Sequence, residues 1–161
     1  MKRILSLLLV IIVFASCEDD VKFNNPAVQG FKDNEVWKAE DFTATIGSDN
    51  SLTITAHRDF ETLSLRVADT DPGTYQLGGS ASSMAHYEFS ADGISNEYST
   101  MDELAGGQIR ISPDPRETNL TGTTGRYITG TFTFLAVDSD GYEVSFQKGW
   151  FYKVPIVTAV P

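Results

Sequence analysis

The chain has 161 residues, with 12 Lys+Arg against 22 Asp+Glu, a formal net charge of −10, one Cys and two His. That length suits one domain, the acidity excludes the basic footprint that nucleic-acid phosphates demand, and one Cys excludes an intrachain disulfide or a thiolate zinc site. At 41% hydrophobic and 11% aromatic residues, the chain is also too apolar to be a disordered segment.

The N-terminus reads as an address. Lys2-Arg3 forms a charged region, Ile4 to Phe14 an apolar run, and Ala15-Ser16-Cys17 a small-residue cleavage site, so residues 1–16 are expected to be a signal peptide. The apolar run is short for a transmembrane helix, which needs roughly 20 residues. Phe14-Ala15-Ser16-Cys17 resembles a bacterial lipobox. The resemblance implies cleavage before Cys17 and lipidation of Cys17. Acyl chains anchor at about 0.8 kcal/mol per buried CH₂, so more than one chain holds firmly. The plainer alternative is a secretory signal with an incidental Cys. Glu18-Asp19-Asp20 resembles the acidic export signal of surface-exposed lipoproteins from Bacteroidota-type bacteria, against the alternative of a solvated charge run. These resemblances imply a lipid-anchored protein of the outer membrane, facing the cell exterior. Cleavage would also remove Lys2 and Arg3, leaving a still more acidic chain, so lipid and not charge must hold it to an anionic surface. Residues 17–30, with Asn24-Asn25-Pro26, read as a flexible acidic tether. Extended, Glu18 to Gln29 would reach at most roughly 40 Å.

From Phe31 onward the hydrophobic period is two. Leu52-Thr53-Ile54-Thr55-Ala56-His57, Thr62-Leu63-Ser64-Leu65-Arg66-Val67 and Gln108-Ile109-Arg110-Ile111-Ser112 each alternate apolar with polar. That pattern predicts half-buried antiparallel strands. Turn signals separate them: Gly47-Ser48-Asp49-Asn50, Arg58-Asp59-Phe60-Glu61, Asp71-Pro72-Gly73 and Gly78-Gly79-Ser80. Thr100-Met101-Asp102-Glu103-Leu104 carries a capping-box pattern and predicts one helical turn, stopped by Ala105-Gly106-Gly107. In the last hairpin, Ile128, Phe132, Phe134 and Ala136 share one face, and Tyr142, Val144, Phe146 and Trp150 another. The two faces coincide only across an odd loop. A loop of Ser139-Asp140-Gly141, with Gly141 in the left-handed region, sets Phe134 opposite Phe146 and Ala136 opposite Val144.

Short strands at this spacing predict one all-β domain over residues 31–161, a single antiparallel β-sandwich of immunoglobulin-like or Greek-key type, with an up-and-down β-barrel as the alternative. The expected core holds Trp37, Leu52, Ile54, Leu63, Leu65, Val67, Ile109, Ile111, Phe132, Phe134, Val144 and Phe146.

The chain carries little that points to catalysis. It has no Gly-x-Ser-x-Gly elbow, no His-Glu-x-x-His and no phosphate-cradling loop. His57 falls on the polar face of its strand. His86 points outward with Glu88, a pair that a hydrolase could use but that surfaces commonly carry. His57 with His86 is the one candidate haem or metal pair; surface haem-capturing lipoproteins use paired His on β-rich folds, but these two lie in no motif of that family. Asp138-Ser139-Asp140-Gly141 has the start of a calcium loop but lacks its third acidic position and distal Glu. Asp69, Asp71, Asp114 and Glu117 fall in turns. No cofactor is expected. Trp37, Trp150, Phe151 and Tyr152 could stack on sugars, although most are expected in the core. Tyr98 and Tyr152 are the candidates for a binding edge.

Five segments in order carry a family resemblance: Phe31 to Ala39 (FKDNEVWKA), Ser51 to Ala56 (SLTITA), Gly73 to Gly78 (GTYQLG), Ile128 to Phe134 (ITGTFTF) and Gly149 to Ile156 (GWFYKVPI). Together they resemble a family of small Bacteroidota-type lipoproteins that carry one domain of unknown function. That family implies fold and location but supplies no catalytic residues. The function expected is a non-catalytic binding or interaction module, held to the membrane by its N-terminal lipid, with a glycan or protein as partner and no nucleic acid. The alternatives are a small-ligand carrier, haem included, and a hydrolase.

Overall fold

The computed structural model describes residues 27–121 and 125–158. The expected signal peptide, Cys17 and Glu18-Asp19-Asp20 lie outside the described residues. Eleven strands follow in order: β1 (Val28–Lys32), β2 (Glu35–Lys38), β3 (Asp41–Ile46), β4 (Leu52–Arg58), β5 (Glu61–Val67), β6 (Gly73–Leu77), β7 (Met84–Ala91), β8 (Ile94–Ser99), β9 (Gly106–Ile111), β10 (Tyr127–Val137) and β11 (Glu143–Thr158). The all-β class is as the period of two predicts.

Hydrogen bonds join all eleven strands into one sheet, in the order β2-β1-β11-β3-β4-β5-β7-β8-β10-β9-β6, with β10 also paired to β11. The β8–β10 link is a single residue pair, Ser99 with Val137. The sheet is mixed, which corrects the expectation of purely antiparallel strands. Ala44, Thr45 and Ile46 of β3 run parallel to Ile156, Val157 and Thr158 of β11. The reason is length. β11 has 16 residues and outruns its hairpin partner, whose last rung is Tyr127 with Pro155. Its end then continues along the open edge of β3.

Every expected core residue is at most 4% exposed. Phe146 lies among four aromatic neighbours: Phe134 at 4.9 Å, Trp37 and Tyr87 at 5.6 Å, and Phe132 at 6.1 Å between ring centroids. Trp37 meets it edge-on at 80°, an arrangement that aromatic quadrupoles favour.

The last hairpin has the register that loop parity predicts, with Phe134 opposite Phe146 and Ala136 opposite Val144. Gly141 takes φ of 85°, and Asp138 N donates to Tyr142 O at 3.0 Å. Beyond Phe146 the simple alternation fails. Lys148 (φ 47°) and Lys153 (φ 48°) are extra residues on β11, inserted where the β10–β11 register shifts. Such bulges move the inward position by one. Phe151 therefore fills the core, followed by Val154 and Ile156. Trp150, expected inward with Val144 and Phe146, is half-buried on the outer face instead, and Tyr142 is exposed. Gly149 lies between the two bulges, where a Cβ would run into the Phe132 ring.

Two further expectations change. The domain starts before residue 31, because Val28 to Lys32 form β1 and Ala27 to Gly30 are buried. Gln29-Gly30 carries no alternation to read, yet Gly30 is needed for contact: a Cβ there would come within 3.0 Å of the Gly149 backbone. The chain between Cys17 and β1 is shorter accordingly, at most roughly 35 Å when extended. Thr100 caps no helix. It is fully buried, and its hydroxyl accepts from Ala85 N at 2.9 Å while its own N donates to Ala85 O at 3.0 Å. With its side chain bound to β7, it cannot reach forward to a helical turn. Residues 100–104 form turns.

Candidate functional site

One end of the core is closed by charge. Glu61 opens β5 after the Asp59-Phe60 turn. The period that aims Leu63, Leu65 and Val67 inward aims Glu61 inward as well. Lys32 pairs with Phe146 across β1 and β11, and Tyr87 pairs with Leu63 across β7 and β5. These placements converge on the Glu61 carboxylate. Oε1 accepts from Lys32 Nζ and from the Tyr87 hydroxyl at 2.6 Å, and Oε2 accepts from Trp37 Nε1 at 2.6 Å. Lys32 also donates to Tyr87 Oη at 2.7 Å and lies 4.9 Å from that ring's centroid.

The ion pair is largely enclosed, with the Lys32 and Glu61 side chains 24% and 13% exposed. Burial pushes the Glu61 pKa up, but the hydrogen bonds from Lys32, Tyr87 and Trp37, with the Lys32 charge, outweigh it and hold the group below the usual carboxylate range. Burial first, and then the Glu61 carboxylate, push the Tyr87 hydroxyl far above its usual value. Both groups therefore keep their protonation state near neutral pH, and both Glu61 oxygens are occupied. The cluster completes a fold; it is not set up to move a proton. Above it is a cleft of about 310 Å³, rimmed by Val36, Phe60 and Phe89.

A second hollow of about 910 Å³ runs over the outer face of β9, β10 and β11. The pairings place its side chains in rows. Trp150, Thr131 and Arg110 form one row, directly paired across the three strands. Thr133 is paired with Gln108 in the next row, with Gln147 and Lys148 beside them at the β11 bulge. Ser145 and Leu135 form the third, with Gly106 beyond. Four residues of β10 separate the first row from the third, about 14 Å along the strand. The side chains of Gln108, Thr131, Gln147 and Trp150 have no hydrogen-bonded partner among the described residues. Thr133 and Ser145 do have partners, the Phe146 carbonyl and the Asp33 carboxylate.

The residues singled out from sequence lie mostly elsewhere. His57 is exposed on β4 with Nδ1 3.1 Å from Thr62 Oγ1. His86 is on β7, with β5 between the two histidines. Glu88 is approached by the Ser95 hydroxyl at 3.4 Å. Asp138 Oδ1 accepts from Asp140 N at 2.9 Å and Tyr142 N at 2.8 Å, so its carboxylate caps the hairpin. Asp69 accepts from Asn50 Nδ2 at 2.8 Å, Asp114 pairs with Arg116 at 2.8 Å, and Glu117 accepts from the Ser112 hydroxyl at 2.6 Å. Among the described residues there is no group of three His, Cys, Asp or Glu side chains arranged to hold a metal. Tyr98 is half-buried, 5.8 Å from the Tyr87 ring, and burial pushes its pKa up. Tyr152 is half-buried beneath Lys153, whose Nζ is 5.4 Å from its ring centroid. Trp37 and Phe151 are core, whereas Trp150 reaches the groove.

Sequence reasoning missed the Glu61 cluster. The available signal was parity: extended back by one residue, the alternation of Thr62 to Val67 puts an acid on the apolar face.

A family model described as Domain of unknown function (DUF6252) matches residues 24–155, and the chain belongs to that family. Comparison with curated proteins and with solved structures gives no match.

Proposed function

We propose that this DUF6252 chain is a lipid-anchored, non-catalytic binding module, tethered through Cys17 to the outer membrane and turned to the cell exterior. The observation that carries the binding role is the groove over β9, β10 and β11. It presents amide, hydroxyl and indole groups that no other described residue uses. The location rests on the sequence alone: a charged and apolar leader, a Cys at its end, and an acidic run behind. In this reading Cys17 is acylated, and Glu18, Asp19 and Asp20 direct export.

The test uses the full chain on intact cells. A photo-crosslinking residue replaces Gln147 in the groove or, as a control, Thr55 on the outer side of β4. Adducts at 147 and none at 55 support the binding role; equal labelling, or none at either position, overturns it. Cys17→Ser should abolish incorporation of labelled palmitate and release the protein from the membrane fraction. Retention of both would end the anchor assignment.

A further inference from the structure

We propose that the groove binds a short oligosaccharide bearing a carboxylate, an inference that rests on the binding-module reading and names its ligand class. The first argument is charge. The chain carries 22 Asp+Glu, yet no acid lines this hollow. Its nearest charged groups are two cations, Lys148 in its wall and Arg110, which the register sets beside Thr131, and at the opposite end the Asp33 carboxylate, which is occupied by the Ser145 N–H and hydroxyl. Neither cation has a carboxylate partner among the described residues, whereas Lys32, Arg66 and Arg116 each have one. In so acidic a protein, two unpaired cations at the end of the hollow away from Asp33 favour an anionic group there.

The second argument is hydrogen-bonding chemistry. Gln108 and Gln147 each offer an amide that donates and accepts, and Thr131 offers a hydroxyl that does both. Sugar hydroxyls also do both. A purely apolar ligand would strip water from these groups without replacing its hydrogen bonds. Trp150 supplies a half-buried aromatic face for the C–H side of a sugar ring. It lies two strands from Arg110 in the same row, about 10 Å away. A ring stacked on the indole can therefore extend a carboxylate toward the guanidinium, with Thr131 between.

The third argument is form. The hollow is long and open, and about 910 Å³ falls in the usual range of ligand sites, about 300–1,000 Å³. It is built on a three-strand ladder, which holds its side chains without a loop having to order first. A long polyanion such as nucleic acid would meet the field of the whole chain, at −10.

The full chain in detergent is titrated with oligogalacturonate, the matched neutral galactose oligomer, and a single-stranded oligonucleotide, following tryptophan fluorescence. Trp37 is fully buried and bonded to Glu61, so a change reports Trp150. The expected result is saturable binding of the oligogalacturonate, at least tenfold tighter than the neutral oligomer and weakened by salt. Arg110→Gln should cut that preference, read as the ratio of the two sugars' affinities, at least threefold. Trp150→Ala should lower affinity for both sugars at least tenfold, and isothermal calorimetry reads this without the fluorophore. Unchanged urea midpoints show that both variants remain folded, and Lys148→Gln provides a second cation test. No saturable sugar binding, equal affinity for the charged and neutral sugars, or tighter binding of the oligonucleotide would overturn the proposal. If the sugars fail while position 147 still forms adducts on cells, the ligand class falls and the binding-module reading stands. If both fail, both fall.

Discussion

The cleft above Glu61 and the groove over β9, β10 and β11 are both hollows lined with polar groups, but they treat those groups oppositely. In the cleft, Lys32, Glu61, Tyr87 and Trp37 satisfy one another. In the groove, Gln108, Thr131, Gln147 and Trp150 have no such partners. The difference follows from the side of the sheet. Glu61 and Lys32 point toward the core, where an unpaired charge is prohibitive. The groove residues face outward, where water satisfies them until something replaces it. A polar hollow is thus a better guide to binding when its groups lack partners than when they are most densely bonded.

Variants can break this contrast. The largest effect is expected for Glu61→Ala, which leaves the Lys32 ammonium, the Trp37 N–H and the Tyr87 hydroxyl without their shared acceptor. A loss of about 2–4 kcal/mol is expected from urea denaturation. Lys32→Met should cost less, about 1–2 kcal/mol by the same measurement, because Tyr87 and Trp37 still satisfy the carboxylate. A loss below about 0.5 kcal/mol for Glu61→Ala would show that the cluster is not a structural closure.

The pH dependence sharpens the point. Glu61 has a lowered folded-state pKa, so its contribution is present above the usual value of 4.5 and disappears as pH falls through the folded value. The stability gap between wild type and Glu61→Gln should therefore hold down to about pH 5 and narrow from there toward about pH 3. Asp49 is lowered too, by hydrogen bonds from Ser51, and acts in the same window, so only the difference between the two proteins isolates Glu61. Tyr87 has the opposite sign. Its raised pKa gives a contribution that is full below about 10 and is lost at higher pH, and Tyr87→Phe should flatten that alkaline limb. The smallest effect is expected in the groove. Gln108→Ala with Gln147→Ala should stay within about 0.5 kcal/mol of wild type in the same denaturation assay. A larger loss would mean that these amides serve the fold.

Much of the fold was legible. The alternation in β4, β5 and β9 named their buried residues, because a half-buried strand repeats every two residues whatever it packs against. Loop parity set the β10–β11 register, because a slip would turn Phe134 toward Ser145. Legibility ended at the bulges. Lys148 and Lys153 are ordinary lysines in sequence, and nothing local marks them as extra residues. Simple alternation therefore cannot follow the inward side of β11 from Phe146 to Phe151, and it puts Trp150 on the wrong face. Thr100 failed for a related reason: its capping pattern is local, but its actual partner, Ala85, is on another strand.

By itself, the sequence determined that this is one acidic all-β domain, which residues fill its core, and how its last hairpin closes. These are properties of period, parity and composition, carried within a strand or across one turn. Only the tertiary structure decided that Lys32, Glu61 and Tyr87 meet, that the end of β11 runs parallel to β3, and that Trp150 and Arg110 share a row across β11, β10 and β9. Those are pairings between distant segments. They depend on where bulges shift each strand's phase and on which strands become neighbours, and neither is written in any single stretch of the chain.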